Sequence, residues 1–296
     1  MAKIAAEFEK AVARRAAHGG PGRASARLLA DGPGWRVSDI VCDHGPQDHP
    51  FEEQHSQVAI AVVAAGSFQY RSEGSCDLMT PGSLLLGNPG QCFECSHHHC
   101  AGDRCISFQY AVAYFEQVAA DAGASAREFP VPRLSPVREL SVLISRACAG
   151  LAGSEVSWEE LSLQLAARTL TLVVGHGRKA LAAPSSTAAR ITRVVRRIER
   201  NPNSRLALAD LAQEARLSPY HFLRAFQQLT GMTPHQYVVR SRLREAALQL
   251  TAGRAKVLDI ALDSGFGDVS NFNRAFRAEF DVSPRSYRAG VGRPET

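Results

Sequence analysis

The sequence predicts an α+β chain of two domains: a β-barrel with helices behind it, then an all-α domain holding two helix-turn-helix units. Three observations predict this. A pattern recurs fifty positions apart, so that Phe222, Arg224, Ala225, Phe226, Pro234 and Tyr237 return as Phe272, Arg274, Ala275, Phe276, Pro284 and Tyr287. Short apolar or alternating segments follow one another from Trp35 to Tyr110 with Gly, Pro and Asn between them, the mark of a sandwich or small barrel. Charge is also divided. Residues 185–296 hold 18 Lys and Arg against 10 Asp and Glu, whereas residues 1–184 hold 16 against 19. A basic domain joined to a slightly acidic one implies a polyanionic partner for the basic half only.

Taken in order, Met1 to His18 reads as a short charged helix, broken by Gly19-Gly-Pro-Gly22. Residues 1–33 are therefore expected to be a loosely attached extension. The barrel is expected over 34–110. Its strands are Trp35–Cys42, Val58–Val63, Gly66–Arg71, Leu78–Gly82, Ser83–Leu86, Cys92–Cys95 and Arg104–Tyr110. A helical segment follows over 111–180, with helices from Tyr114, from Ser135-Pro136 and from Trp158 to about Val174. The last two can pair as a hairpin and are candidate dimer-contact surface; simple packing on the sheet is the other reading. Pro184-Ser-Ser marks a linker over 181–187, and the helical domain occupies 188–290. The densest apolar stretch, Leu161 to Val174, contains Gln164 and Arg168, so no membrane span is expected. The N-terminus lacks the apolar segment of a secretory signal, which points to the cytoplasm.

In each repeat a short helix precedes a second one. Leu208, Leu211 and Ala212 repeat at helical spacing. Ser218 then Pro219 is a start signal, because Ser caps free N–H groups and Pro at the first helical position loses no bond. Gly231 supplies a stop, since Gly accepts the left-handed conformation. In the second copy Asp268 is the cap and Gly265-Phe-Gly267 the tight turn. The phenylalanines recur with Leu and Ala at helical spacing, so they are core and not stacking platforms.

The stretch from about Thr187 to Arg288 resembles the DNA-binding domain of the AraC/XylS family of bacterial transcription regulators. The Leu208-Ala start, the two Arg-Ala-Phe cores, Thr233-Pro and Ser283-Pro, the Gly-Phe turn and the terminal Pro-x-x-Tyr occur in the family's order. The resemblance implies seven helices, with a linker helix from Thr233-Pro234 to about Leu250 bridging two DNA readers. It also implies that Tyr220, Leu223, Arg224, Val269, Ser270, Asn273 and Arg274 face bases. By their chemistry, Arg224 and Arg274 suit guanine and Asn273 suits adenine, although either arginine could instead hold a phosphate.

Residues 35–110 resemble the cupin-like sensor domain attached to many members of that family, through the Pro-Gly turns at 81–82 and 89–90. The metal-binding cupin pattern is degraded: Glu53-Gln-His55 stands where His-x-His is expected, which leaves His49, Glu53 and His55 as a polar loop before a strand or as lining of the barrel mouth. A separate constellation is more informative. Five of the seven cysteines and three of the ten histidines lie in residues 76–105. Alternation places Cys95, His97 and His99 on one face, and a returning strand brings Cys105 beside them. Two thiolates and two imidazoles make a candidate zinc shell. The competing readings are a redox-responsive thiol, or cysteines serving as small core residues.

The chain thus reads as a regulator, not an enzyme, whose first domain senses a ligand, metal or redox state. Its expected partners are double-stranded DNA, RNA polymerase, a small-molecule or metal effector and a second copy of the chain. The alternative is a cupin-type or thiol-dependent enzyme fused to a DNA-binding domain.

Overall fold

Alternation of side chains along residues 24–110 produces two antiparallel sheets packed face to face. The computed structural model describes residues 2–72, 74–97, 101–124, 127–173, 185–204, 206–253 and 255–290. Helix α1 (Ala2–His18) precedes β1 (Ala24–Gly32), β2 (Trp35–Cys42), β3 (Phe51–Gln54), β4 (Val58–Gly66), β5 (Phe68–Ser72), β6 (Ser75–Met79), β7 (Leu84–Gly87), β8 (Cys92–Ser96) and β9 (Asp103–Tyr110). After α2 (Val112–Asp121) comes the short β10 (Arg133–Leu134), then α3 (Ser141–Leu151) and α4 (Trp158–Val173). The larger sheet is ordered β1-β2-β9-β4-β7-β10 and the smaller β3-β8-β5-β6.

The period of two decides which core each residue enters. On β4, Ile60 and Val62 face the helices, in a cluster with Val37, Phe108 and Leu165. Their neighbours Ala61 and Val63 face the smaller sheet, in a cluster with Phe68, Tyr70, Met79 and Cys95. The second cluster fills the space between the sheets.

Residues 1–33 are not a loose extension. Ile4 and Phe8 of α1 are buried in the main core, and β1 pairs along the whole of β2. Arg104 fixes the helix from beneath: its Nε and Nη2 donate to the Asp39 carboxylate at 2.8 and 2.9 Å, and its Nη1 donates to the Ile4 carbonyl at 3.1 Å. At the far end of α1, both Arg15 Nη atoms donate to Asp48 at 2.6 Å. The glycines after His18 mark a turn within the domain and not its boundary.

The second domain is α5 (Ser185–Arg200), α6 (Leu208–Glu214), α7 (Pro219–Thr230), α8 (Pro234–Ala252), α9 (Val257–Asp263), α10 (Val269–Phe280) and α11 (Pro284–Gly290). Helix α5 already includes 185–187, so the expected linker over 181–187 is shortened from its C-terminal side, and 181–184 lie outside the described residues. Two separate cores form, one per reader. The first gathers Ile198, Phe222, Phe226 and Tyr237; the second gathers Leu243, Phe272, Phe276 and Tyr287. The 19 residues of α8 join them, spanning about 28 Å at 1.5 Å per residue. No helix among the described residues is long and apolar enough to cross a membrane.

Candidate nucleic-acid interface and sensor interior

Local capping sets where each reader helix begins. Ser218 Oγ accepts from the His221 N–H with Pro219 at the first position, and Gly231 ends α7 at φ 81°. Asp268 accepts from the Asn271 N–H at 2.7 Å, and Asp281 ends α10 in the same left-handed region at φ 60°. With the phenylalanines turned inward, the opposite face of each helix is left outside. Tyr220, Arg224, Ser270, Asn273 and Arg274 are exposed, while Leu223 and Val269 are half-buried. The Arg224 guanidinium lies 5.8 Å from the Tyr220 ring centroid, and Arg274 donates to Asn271 Oδ1 at 3.1 Å. These contacts hold the arginines on the outer face of their own helices. Beside the second reader an open groove of about 1200 Å³ is lined by Lys256, Arg274, Arg277, Arg285 and Arg288, among others. The arginines and the lysine in this lining suit phosphate.

The sensor interior has two chemically distinct ends. At one, His55 Nε2 hydrogen-bonds the Tyr70 hydroxyl at 3.0 Å, and its ring stacks on Phe93 at 4.3 Å. Burial pushes His55 down to about 4. His49 and Glu53 are exposed, so they do not join it.

The other end is polar. Cys42 on β2 pairs directly across from Asp103 on β9, and His97 follows β8. Donor atoms of Cys42, His97 and Asp103 all lie within 4.8 Å of one another, and all three residues are buried. His97 Nε2 and Asp103 Oδ2 are 2.6 Å apart, and the Cys105 thiol donates to Asp103 Oδ1 at 3.4 Å. His44 Nδ1 is 3.2 Å from Cys42 Sγ. Burial, with the negative charge of Asp103 beside it, pushes each of the Cys42, Cys95 and Cys105 thiols upward. Burial and the neighbouring His97 push His44 down, against the pull of Asp48 and Asp43.

Of the four expected zinc ligands, the structure thus brings Cys95, His97 and Cys105 into one interior; His99 lies outside the described residues. Cys95 and Cys105 belong to the apolar inter-sheet cluster. Sequence reasoning missed Cys42 and Asp103. The signal that could have found them is the pairing of β2 with β9, which a local window does not contain.

A family model described as an AraC-like ligand binding domain matches residues 40–170, and one described as a helix-turn-helix domain matches 211–290. The HTH-type transcriptional activator AarP of Providencia stuartii is 34% identical over 117 residues, covering 40% of this chain and 84% of that protein. This chain belongs to the AraC family of transcription regulators. Another relative, the HTH-type transcriptional activator RhaS of Salmonella paratyphi B, is 31% identical over 158 residues, covering 53% of this chain and 55% of that protein. Apart from AarP, the chain spans roughly one to two thirds of the length of the curated relatives it matches. Among solved structures, an AraC-type regulator from Chromobacterium violaceum is 27% identical, covering 38% of this chain and 100% of that one at a TM-score of 0.35. As a member of the AraC family, the chain is a DNA-binding transcription regulator with an N-terminal ligand-binding domain.

In this family member the sensor grips both readers. Leu78 of β6 enters the first reader's core. Gly231, at the end of α7, lies so close to Ser135 that a side chain there would collide with it. Arg196 on α5 donates to the Ala101 carbonyl at 2.8 Å. On the second reader, Glu279 accepts from Ser141 of α3 and, at 3.2 Å, from Arg240 of α8, which also donates to the Pro136 carbonyl.

Proposed function

We propose that this chain is a cytoplasmic regulator in which effector binding in the sensor resets how two DNA readers are held. The observation that carries the reading is the double grip: Leu78 enters the core of one reader, and Ser141 and Pro136 bond the part-buried Glu279–Arg240 pair of the other. A change in the sensor that loosens either contact alters the relative setting of α7 and α10. The exposed faces of those helices carry Tyr220, Arg224, Ser270, Asn273 and Arg274, and these side chains supply the base contacts. Leu223 and Val269 contribute apolar contact at the edge. The output is activation through RNA polymerase, a reading supported by the names of AarP and RhaS. A second copy of the chain is a further partner, with the outer face of α4 available to it, since α3 is packed against α8.

An enzymatic role fits less well. A thiol nucleophile needs a lowered pKa, and burial drives Cys42, Cys95 and Cys105 the other way.

Selection of bound duplexes from a randomised DNA library by the full chain tests the proposal. Two half-sites about 10–10.5 base pairs apart are expected, one per reader helix in successive major grooves. A single half-site, or no enriched sequence, would overturn it.

A further inference from the structure

We propose that the polar end of the sensor interior binds one zinc-class divalent cation, through Cys42 Sγ, the His97 imidazole and the Asp103 carboxylate, with His44 as fourth ligand. The donors come from separate parts of the chain and are already gathered. Tetrahedral zinc, with bonds of about 2.0–2.3 Å, sets its donors roughly 3.3–3.8 Å apart. The Cys42, His97 and Asp103 donors lie within 4.8 Å of one another, so small side-chain rotations close the shell. His44 lies outside that group of three but next to it, with its ring stacked on that of His97 at a centroid separation of 6.0 Å and its Nδ1 3.2 Å from the Cys42 sulfur, so it joins the shell by turning its ring.

His97 ligates through Nε2, which already lies 2.6 Å from Asp103 Oδ2, so the metal takes the place of the hydrogen bond between the two side chains. Thiolate and imidazole select zinc-class ions over magnesium or calcium. On binding, the Cys42 thiol releases its proton to solvent. The thiolate and carboxylate then neutralise the dication, so no net charge is left in the apolar interior.

The site adjoins the grip on the DNA domain. Asp103 follows Ala101 and Gly102, whose carbonyls both accept from Arg196 of α5, at 2.8 and 3.5 Å. Gly102 is wedged at φ 73° against Phe8 and Val12 of α1, so displacement of Asp103 passes to the Arg196 contact. This coupling rests on the function proposed above; the metal site does not.

The test is titration of the full chain, purified without a histidine tag and stripped with chelator, first with Co²⁺ alone and then with Zn²⁺. One equivalent of cobalt should give a near-ultraviolet thiolate charge-transfer band, which zinc then abolishes. Cys42→Ser should remove the band and Cys92→Ser, at an exposed thiol, should leave it. Asp103→Asn, which keeps the side-chain shape, should weaken binding at least about tenfold, with circular dichroism confirming that each variant is folded. No thiolate band, or one that persists in folded Cys42→Ser, would overturn the site. DNA affinity of zinc-loaded and stripped chain is measured in parallel. Equal affinities with metal binding intact would overturn the coupling and leave the site standing.

Discussion

The Tyr287 hydroxyl donates to Ser145 Oγ at 2.8 Å, which ties the last helix of the DNA domain to the first long helix behind the sensor sheet. Both side chains are buried, and burial pushes the Tyr287 phenol up to about 12. Tyr287→Phe leaves the Ser145 hydroxyl without this partner and should cost about 1–2 kcal/mol. Urea denaturation of the full chain checks the value.

Arg240 is the larger support of the same interface. Its removal takes the cationic partner from Glu279, only 9% exposed, and leaves it the hydroxyl of Ser141. Arg240→Met should cost about 2–4 kcal/mol, because an uncompensated buried carboxylate is expensive. Calorimetry should then show the two domains melting in separate transitions.

Asp39 and Arg104 make the corresponding lock under α1. Burial alone would raise the Asp39 pKa, but hydrogen bonds and charge from Arg104 and Arg27 outweigh it and hold the carboxyl below its usual value. Asp39→Asn strands the Arg104 guanidinium and should destabilise the chain by roughly 3–5 kcal/mol. Hydrogen exchange should report fast opening of α1 in that variant.

His55 predicts a pH dependence. Its folded pKa of about 4 lies below the ordinary 6.5, so between those values the unfolded chain binds a proton that the folded chain does not. Its contribution is complete above about pH 6.5 and is lost as pH falls toward 4, on the order of 1–3 kcal/mol. Denaturation midpoints measured across that window should fall on acidification. The fall should be reduced in His55→Gln.

Arg274 separates base reading from phosphate binding. If it contacts guanine, Arg274→Ala should cost about 1–3 kcal/mol at one base pair and relax the preference there. A uniform loss across all sequences would assign it to the backbone. Binding to duplexes singly substituted around the selected site distinguishes the two.

What the sequence determined by itself was local. Ser218, Asp268 and Gly231 act within one turn of where they stand, so the starts of both reader helices and the end of α7 follow from these residues alone, whereas the stop of α10 at Asp281 does not. The phenylalanine stripes carried their burial in their spacing, and most strands from Trp35 to Tyr110 were legible from their apolar or alternating pattern; β3, with Glu52, Glu53 and Gln54 exposed, was not. Tertiary structure decided what depends on pairing between distant segments. The β2–β9 register sets Cys42 against Asp103, 61 positions away, and so gathers beside His97 a cluster that no local pattern contains. The same holds for α1: its Ala-rich, charged sequence reads as a solvated tail until the sheet offers an apolar face to Ile4 and Phe8 and a buried arginine to the Ile4 carbonyl. Periodicity records which side of an element is apolar. The partner that covers it is fixed only when the chain closes on itself.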